Sequence, residues 1–263
     1  MSIEGGVGGW SRASSTVVSA LLALIVGVPT AACGQADVLF EPPGADGSLR
    51  VLFIGNSLTE YNDLPGMLDT LLRQAGLEEL TVASIAKPAF GLQDHWALQE
   101  THDRIAEGWD VVVLQQGPSA TEGRPSLLEY AERFAEPILD ANAVPALYMV
   151  WPAEERSFDF PGVSDSYSEA ADRADGLLFP AGEAWLDAWQ LDGQVELYGL
   201  DRFHPSPRGT YLAALVMYEQ LTGRDPRALT GDIPGSGGLA SAAELEVLRR
   251  AAQRANAEHR RIP

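Results

Sequence analysis

The sequence predicts an α/β fold, a mainly parallel five-stranded sheet with helices on both faces. Short apolar runs alternate with stretches of helical periodicity. Several of those runs are apolar throughout, not at every second residue, as in parallel strands buried on both faces. No internal repeat at a solenoid period competes with this reading. Residues 50–54 form a first strand and end in Gly55-Asn56-Ser57. Residues 64–75 follow as a helix stopped by Gly76. A strand at 80–85, a helix at 96–107 and a buried strand at 111–114 come next. Then follow a helix at 127–141, a strand at 146–151, a helix at 166–174, a strand at 176–179 and a helix at 183–190. Residues 206–222 form a strong helix with Pro207 in its first turn and Gly223 beyond its end. A charged helix at 240–259 closes the chain. Trp185 and Trp189, four apart on one helix, are expected in the core.

The N-terminus reads as an address. Residues 17–28 are an apolar run of signal-peptide length, too short for a comfortable membrane span, with Arg12 as a weak positive flank. Pro29 ends the run, and small residues precede Cys33. This resembles the lipobox of bacterial lipoproteins, in which the cysteine is lipidated, although Thr30 replaces the usual Leu. Ordinary signal cleavage with an incidental Cys33, or an uncleaved anchor, is the alternative. The expected organisation is a signal segment at 1–33, a Pro/Gly-containing tether at 34–48 and one domain at 49–263. Each version places the domain outside the cytoplasm, and in the lipoprotein version the lipid on Cys33 is the only expected membrane attachment.

Composition removes several functions. With 18 Lys plus Arg against 37 Asp plus Glu, the formal net charge is -19, which repels nucleic-acid phosphates. A single cysteine excludes an intrachain disulfide, a redox pair and a Cys-rich zinc site. The four histidines are scattered, with no HExxH zinc spacing.

Two local motifs carry chemistry. Gly55-Asn56-Ser57 lies in a strand-to-helix turn, where ligands of open α/β sheets bind. There a serine is exposed and its N–H can face a developing oxyanion. By itself the turn is better read as a cap formed by Asn56 or Ser57. Asp201-Arg202-Phe203-His204-Pro205-Ser206 precedes the strong helix. Pro205 keeps His204 extended, and Asp201 can orient one imidazole nitrogen while the other faces a serine. Alone, this is equally a loop histidine ahead of a capping Ser206.

Together the motifs resemble the SGNH/GDSL hydrolases. VLFIGNSLT is similar to their first block, with Asn56 in place of the usual Asp, and DRFHPSPRGTYLAA is similar to their last block, D-x-x-H. The resemblance implies a flavodoxin-like three-layer α/β/α sandwich and cofactor-free hydrolysis of a small-molecule or glycan ester through an acyl-enzyme. It implies Ser57 as nucleophile, His204 as base and Asp201 as orienting acid. The oxyanion hole would combine the Ser57 and Gly91 N–H groups with a side-chain amide. Here the common G-x-N-D block is missing: Gln115-Gln116-Gly117 follows the third strand, similar to the Gln-Gly variant of sialic-acid and acetylxylan esterases. Gln116 is the expected donor and Gln115 the alternative. Asn56, His95 and Trp151 are expected to line the substrate pocket. A carbohydrate O-acetyl or other short-acyl esterase is the expectation. A non-catalytic glycan-binding lipoprotein on the same fold is the alternative.

Overall fold

The computed structural model describes residues 41–238 and 240–259. The signal segment 1–33 with Cys33, and residues 34–40 of the expected tether, lie outside the described residues. The sheet contains β1 (Ser48–Gly55), β2 (Glu79–Ala86), β3 (Val111–Leu114), β4 (Val144–Tyr148) and β5 (Leu177–Phe179) in the order β2-β1-β3-β4-β5. Every pairing is parallel. Val51 to Ile54 and Val111 to Leu114 are fully buried, so the central strands have no polar face. The edge strand β2 is mostly half-buried, with Glu79, Thr81 and Ser84 exposed, which suits its mixed ELTVASIA sequence.

Helices α2 (Leu64–Gln74), α7 (Ala181–Leu191), α8 (Pro207–Thr222) and α9 (Ala242–His259) pack with one another as one layer. Helices α3 (Leu92–Trp96), α5 (Arg124–Asp140) and α6 (Phe160–Arg173) form the opposite layer, with α4 (Gln99–Ile105) beside α3 and α5. The arrangement is the expected three-layer α/β/α sandwich. Helix α8 is buried almost all round because α2, α7 and α9 surround it.

Two boundaries differ from expectation. The helix expected at 96–107 is two short helices, broken at Ala97 and Leu98. The Asp94 carboxylate accepts the Gly91 N–H at 2.8 Å and starts α3 early, and the His102 ring bonds the Trp96 carbonyl at 2.8 Å across the break. The domain also begins before residue 49: the Gly44 N–H donates to the Leu221 carbonyl at 2.8 Å, fastening the end of the tether to α8.

The strand order reverses direction between β1 and β3, and ligands of open parallel sheets bind at such a crevice beyond the strand C-termini. Ile54 pairs with Leu114, so the chain leaving β1 and the chain leaving β3 emerge side by side there. Asn56-Ser57 and Gln115-Gln116 are thereby neighbours despite their separation in sequence.

Candidate active site

Ser57 opens the four-residue helix α1 (Ser57–Glu60), capped by the Asn56 carboxamide, whose Oδ1 accepts the Leu58 N–H at 3.0 Å. The first N–H groups of a helix have no intrahelical acceptor, so the Ser57 N–H lies beside its own hydroxyl without a helical partner. Gly55 is required by close packing: a Cβ there would stand 2.4 Å from Thr59 Oγ1 and 2.6 Å from Gln115 Oε1.

The imidazole arrives from the loop before α8. Ser206 caps α8 by accepting the Gly209 N–H at 3.2 Å, and Pro207 fills the first turn. An isolated antiparallel bridge between Tyr198 and Pro205 closes the loop, with the Gly199 N–H donating to the His204 carbonyl at 2.7 Å. Asp201 uses its two oxygens differently. Oδ1 accepts the backbone N–H groups of Phe203 (3.1 Å) and His204 (2.9 Å) and shapes the turn. Oδ2 lies 2.6 Å from His204 Nδ1. The hydrogen bond to His204 is the main reason the Asp201 carboxyl sits below its ordinary 3.8, and the Phe203 and His204 amides add to it. An ionised Asp201 places the imidazole proton on Nδ1, so the Nε2 lone pair faces Ser57 Oγ at 2.9 Å. Ser57, His204 and Asp201, 147 residues apart at the extremes of that pair of contacts, are thus one hydrogen-bonded chain.

The glutamines and Gly91 are corrected by the structure. Gln115 is fully buried. Its Oε1 accepts the Asn56 N–H (2.9 Å) and the Thr59 hydroxyl (2.8 Å), and its Nε2 donates to Asn56 Oδ1 (3.0 Å) and the Gln116 carbonyl (2.6 Å). Gln116 Oε1 accepts the Leu92 N–H (3.1 Å), and Nε2 donates to Ser119 Oγ (3.0 Å) and the Gly123 carbonyl (3.1 Å). An amide NH2 has two hydrogens, so neither glutamine keeps one for an oxyanion. The backbone N–H donors to each Oε1 fix both amide orientations. The Gly91 N–H is likewise occupied, by Asp94. Gln115 thus supports the Ser57 turn through Asn56 and Thr59, while Gln116 ties the Leu92 and Gly123 segments together.

The expected pocket residues are corrected too. Asn56 is 7% exposed and sends its Nδ2 to the Phe90 carbonyl at 2.9 Å. His95 is fully buried, with Nε2 2.7 Å from the Gly55 carbonyl, and lies under the turn instead of at a pocket mouth. Burial pushes its pKa below the ordinary histidine value, so the ring is neutral and Nε2 carries the proton for Gly55. Trp151 is also fully buried, stacked on Trp185 at 3.6 Å, and its Nε1 donates to the Phe203 carbonyl at 3.1 Å. It braces the His204 loop from inside.

The open pocket at Ser57, about 740 Å³, is walled instead by Tyr61, Pro88, Ala89, Phe203 and His204. A second cleft of about 910 Å³ adjoins it and shares Tyr61 and Asn62. The sequence reading missed Tyr61 and Asn62. The available signal was Asn62-Asp63, two residues that tolerate left-handed backbone, placed between the serine turn and the Leu64-Pro65 helix start.

No family model matches the chain. No curated protein matches it either. Solved structures do. A candidate SGNH hydrolase from Slackia heliotrinireducens is 26% identical over 66% of this chain and 99% of its own, with a TM-score of 0.58. A DUF4886 family protein from Bacteroides uniformis is 17% identical over 82% of this chain and 97% of its own, with a TM-score of 0.66. A mutant acetyl-xylooligosaccharide esterase from Geobacillus is 16% identical over 66% of this chain and 96% of its own, with a TM-score of 0.51. Fold and relatives together place the chain in the SGNH/GDSL hydrolase superfamily. Its structural neighbours include esterases and a GDSL-like lipase, hydrolases that act on ester bonds.

Proposed function

We propose that the chain is an exported serine esterase that removes acetyl or other short acyl groups from a carbohydrate. The observation that carries the catalytic part is the 2.9 Å contact between Ser57 Oγ and His204 Nε2, with Asp201 on the opposite ring nitrogen. In this reading Ser57 Oγ attacks the acyl carbon while its proton passes to His204 Nε2. The oxyanion is stabilised by the Ser57 N–H. The proton then goes to the leaving alcohol, leaving an acyl-serine. Water, deprotonated by His204, attacks that ester, releases the carboxylic acid and restores the hydroxyl.

The substrate part of the reading draws on three supports. The Ser57 pocket has small apolar walls at Pro88 and Ala89, suited to a short acyl group. The adjoining cleft of about 910 Å³ is large enough for sugar units. Acetylxylan esterases are among the chains with the same fold. Export rests on the apolar segment at 17–28 and the small residues before Cys33.

The test is turnover of a short-chain chromogenic ester and of acetylated xylo-oligosaccharide. Ser57→Ala and His204→Ala serve as controls. Undiminished turnover in both variants would reject the assigned roles. Turnover of the chromogenic ester without release of acetate from the glycan would reject the carbohydrate assignment alone. Mass spectrometry of the mature N-terminus decides between lipidated Cys33 and plain cleavage.

A further inference from the structure

We propose that Tyr61 and Asn62 form a clasp that holds the His204 imidazole in register with Ser57. The inference rests on the serine-hydrolase reading above. Asp201 anchors only one edge of the ring, and that carboxylate is half exposed. An imidazole held by one hydrogen bond can still rock about it, carrying Nε2 away from Ser57 Oγ. Two further contacts restrict that motion. Tyr61 stacks on the ring, with centroids 4.4 Å apart and planes 17° apart. Phe203 meets it edge-on at 5.2 Å.

Asn62 ties the two loops together through the backbone. Its Nδ2 donates to the Pro205 carbonyl and to Thr210 Oγ1, each at 2.9 Å. Pro205 directly follows His204, so the segment carrying the nucleophile is bonded to the segment carrying the base. The local backbone is consistent with a constrained role. Asn62 and Asp63 are consecutive non-glycine residues with φ of 54° and 53°. Left-handed backbone is unfavourable for L-residues, and Asn and Asp bear it best. This kink separates α1 from α2, and Tyr61, with extended backbone angles just before it, stacks on His204. The Asp63 carboxylate then caps α2 by accepting the Gly66 N–H at 3.2 Å.

Tyr61 and Asn62 are therefore positioning residues. Tyr61→Leu keeps an apolar side chain and removes the stack. Asn62→Asp keeps the shape and removes both donors. On a short-chain ester each change is expected to lower kcat about tenfold, within the range that misplacement of a reacting group costs, with KM nearly unchanged. Tyr61→Phe restores most of kcat. Labelling of Ser57 by a fluorophosphonate slows in parallel. Thermal midpoints are measured for each variant so that unfolding is not mistaken for misalignment. NMR supplies a readout independent of turnover: the Tyr61 ring current shifts the His204 ring protons upfield, and Tyr61→Leu removes that shift. Wild-type kcat in folded Tyr61→Leu and Asn62→Asp would overturn the clasp, as would the absence of the ring-current shift in the wild type. A wild-type protein that neither turns over esters nor labels at Ser57, while showing the shift, would refute the hydrolase reading and leave the contact standing.

Discussion

The two halves of the site are held in different ways. The turn that carries Ser57 rests on a buried polar network: Asn56, Thr59, Gln115 and His95 are all inside the protein and bonded to one another or to the backbone around Ser57. His204 lies on a loop near the surface, where Asp201 is 49% exposed on its side chain. That loop is held by its own turn bonds, by the buried Trp151 behind Phe203 and by Tyr61 and Asn62. The contrast is one of stability against alignment. Changes under Ser57 should unsettle the fold, because buried groups left without partners are costly. Changes around His204 should affect turnover more than folding, because water can replace the lost partners.

Four substitutions sharpen that contrast. Ser57→Ala, measured by single-turnover kinetics on a chromogenic ester, should reduce kcat by roughly 10⁴-fold or more with an unchanged melting midpoint. Asp201→Asn should reduce kcat by roughly 10³–10⁴-fold by favouring the wrong imidazole tautomer, and denaturant titration should show little loss of stability. Gln115→Leu should behave oppositely, costing about 3 kcal/mol in urea unfolding because several buried partners lose their bonds at once. Gln116→Leu should also destabilise. A 10²–10³-fold loss of turnover at full stability would instead restore Gln116 as an oxyanion donor.

The smallest effect is a pH dependence of stability from His95. Its folded pKa is depressed below the ordinary 6.5, mainly by burial. The unfolded chain therefore takes up a proton more readily. The contribution is fully favourable above 6.5 and declines as pH falls below it, with a slope of at most about 1.4 kcal/mol per pH unit. His95→Gln keeps a donor for the Gly55 carbonyl but does not titrate, so equilibrium unfolding between pH 5 and 7.5 should show a shallower acid limb. An unchanged limb would assign the acid sensitivity elsewhere.

The fold was legible because its signals are local and continuous. The run Val111 to Leu114 can be little else than a buried strand, and Ser206-Pro207 with Gly223 marks both ends of α8. The meeting of Ser57, His204 and Asp201 was legible because each motif is a short turn of a few adjacent residues. Asp201 and His204 share one loop, and Ser57 heads a helix at a strand end. The roles of Gln115, Gln116, Gly91, His95 and Trp151 were not legible. Residues at strand ends and helix starts can point into the crevice or beneath it, and sequence spacing does not say which. The decision lies in partners distant along the chain, such as Thr59 for Gln115 and Phe203 for Trp151. Tyr61 was hidden for a related reason, since its stack on His204 depends on two left-handed residues after it.

The most direct test is the time course of fluorophosphonate labelling followed by peptide mass spectrometry on the mature domain. A single adduct on the Ser57 peptide is expected, absent in Ser57→Ala and slowed at least about 100-fold in His204→Ala, within the range general-base catalysis contributes. Labelling at another residue, or equal rates with and without the His204 imidazole, would contradict the shared proton path between these two side chains.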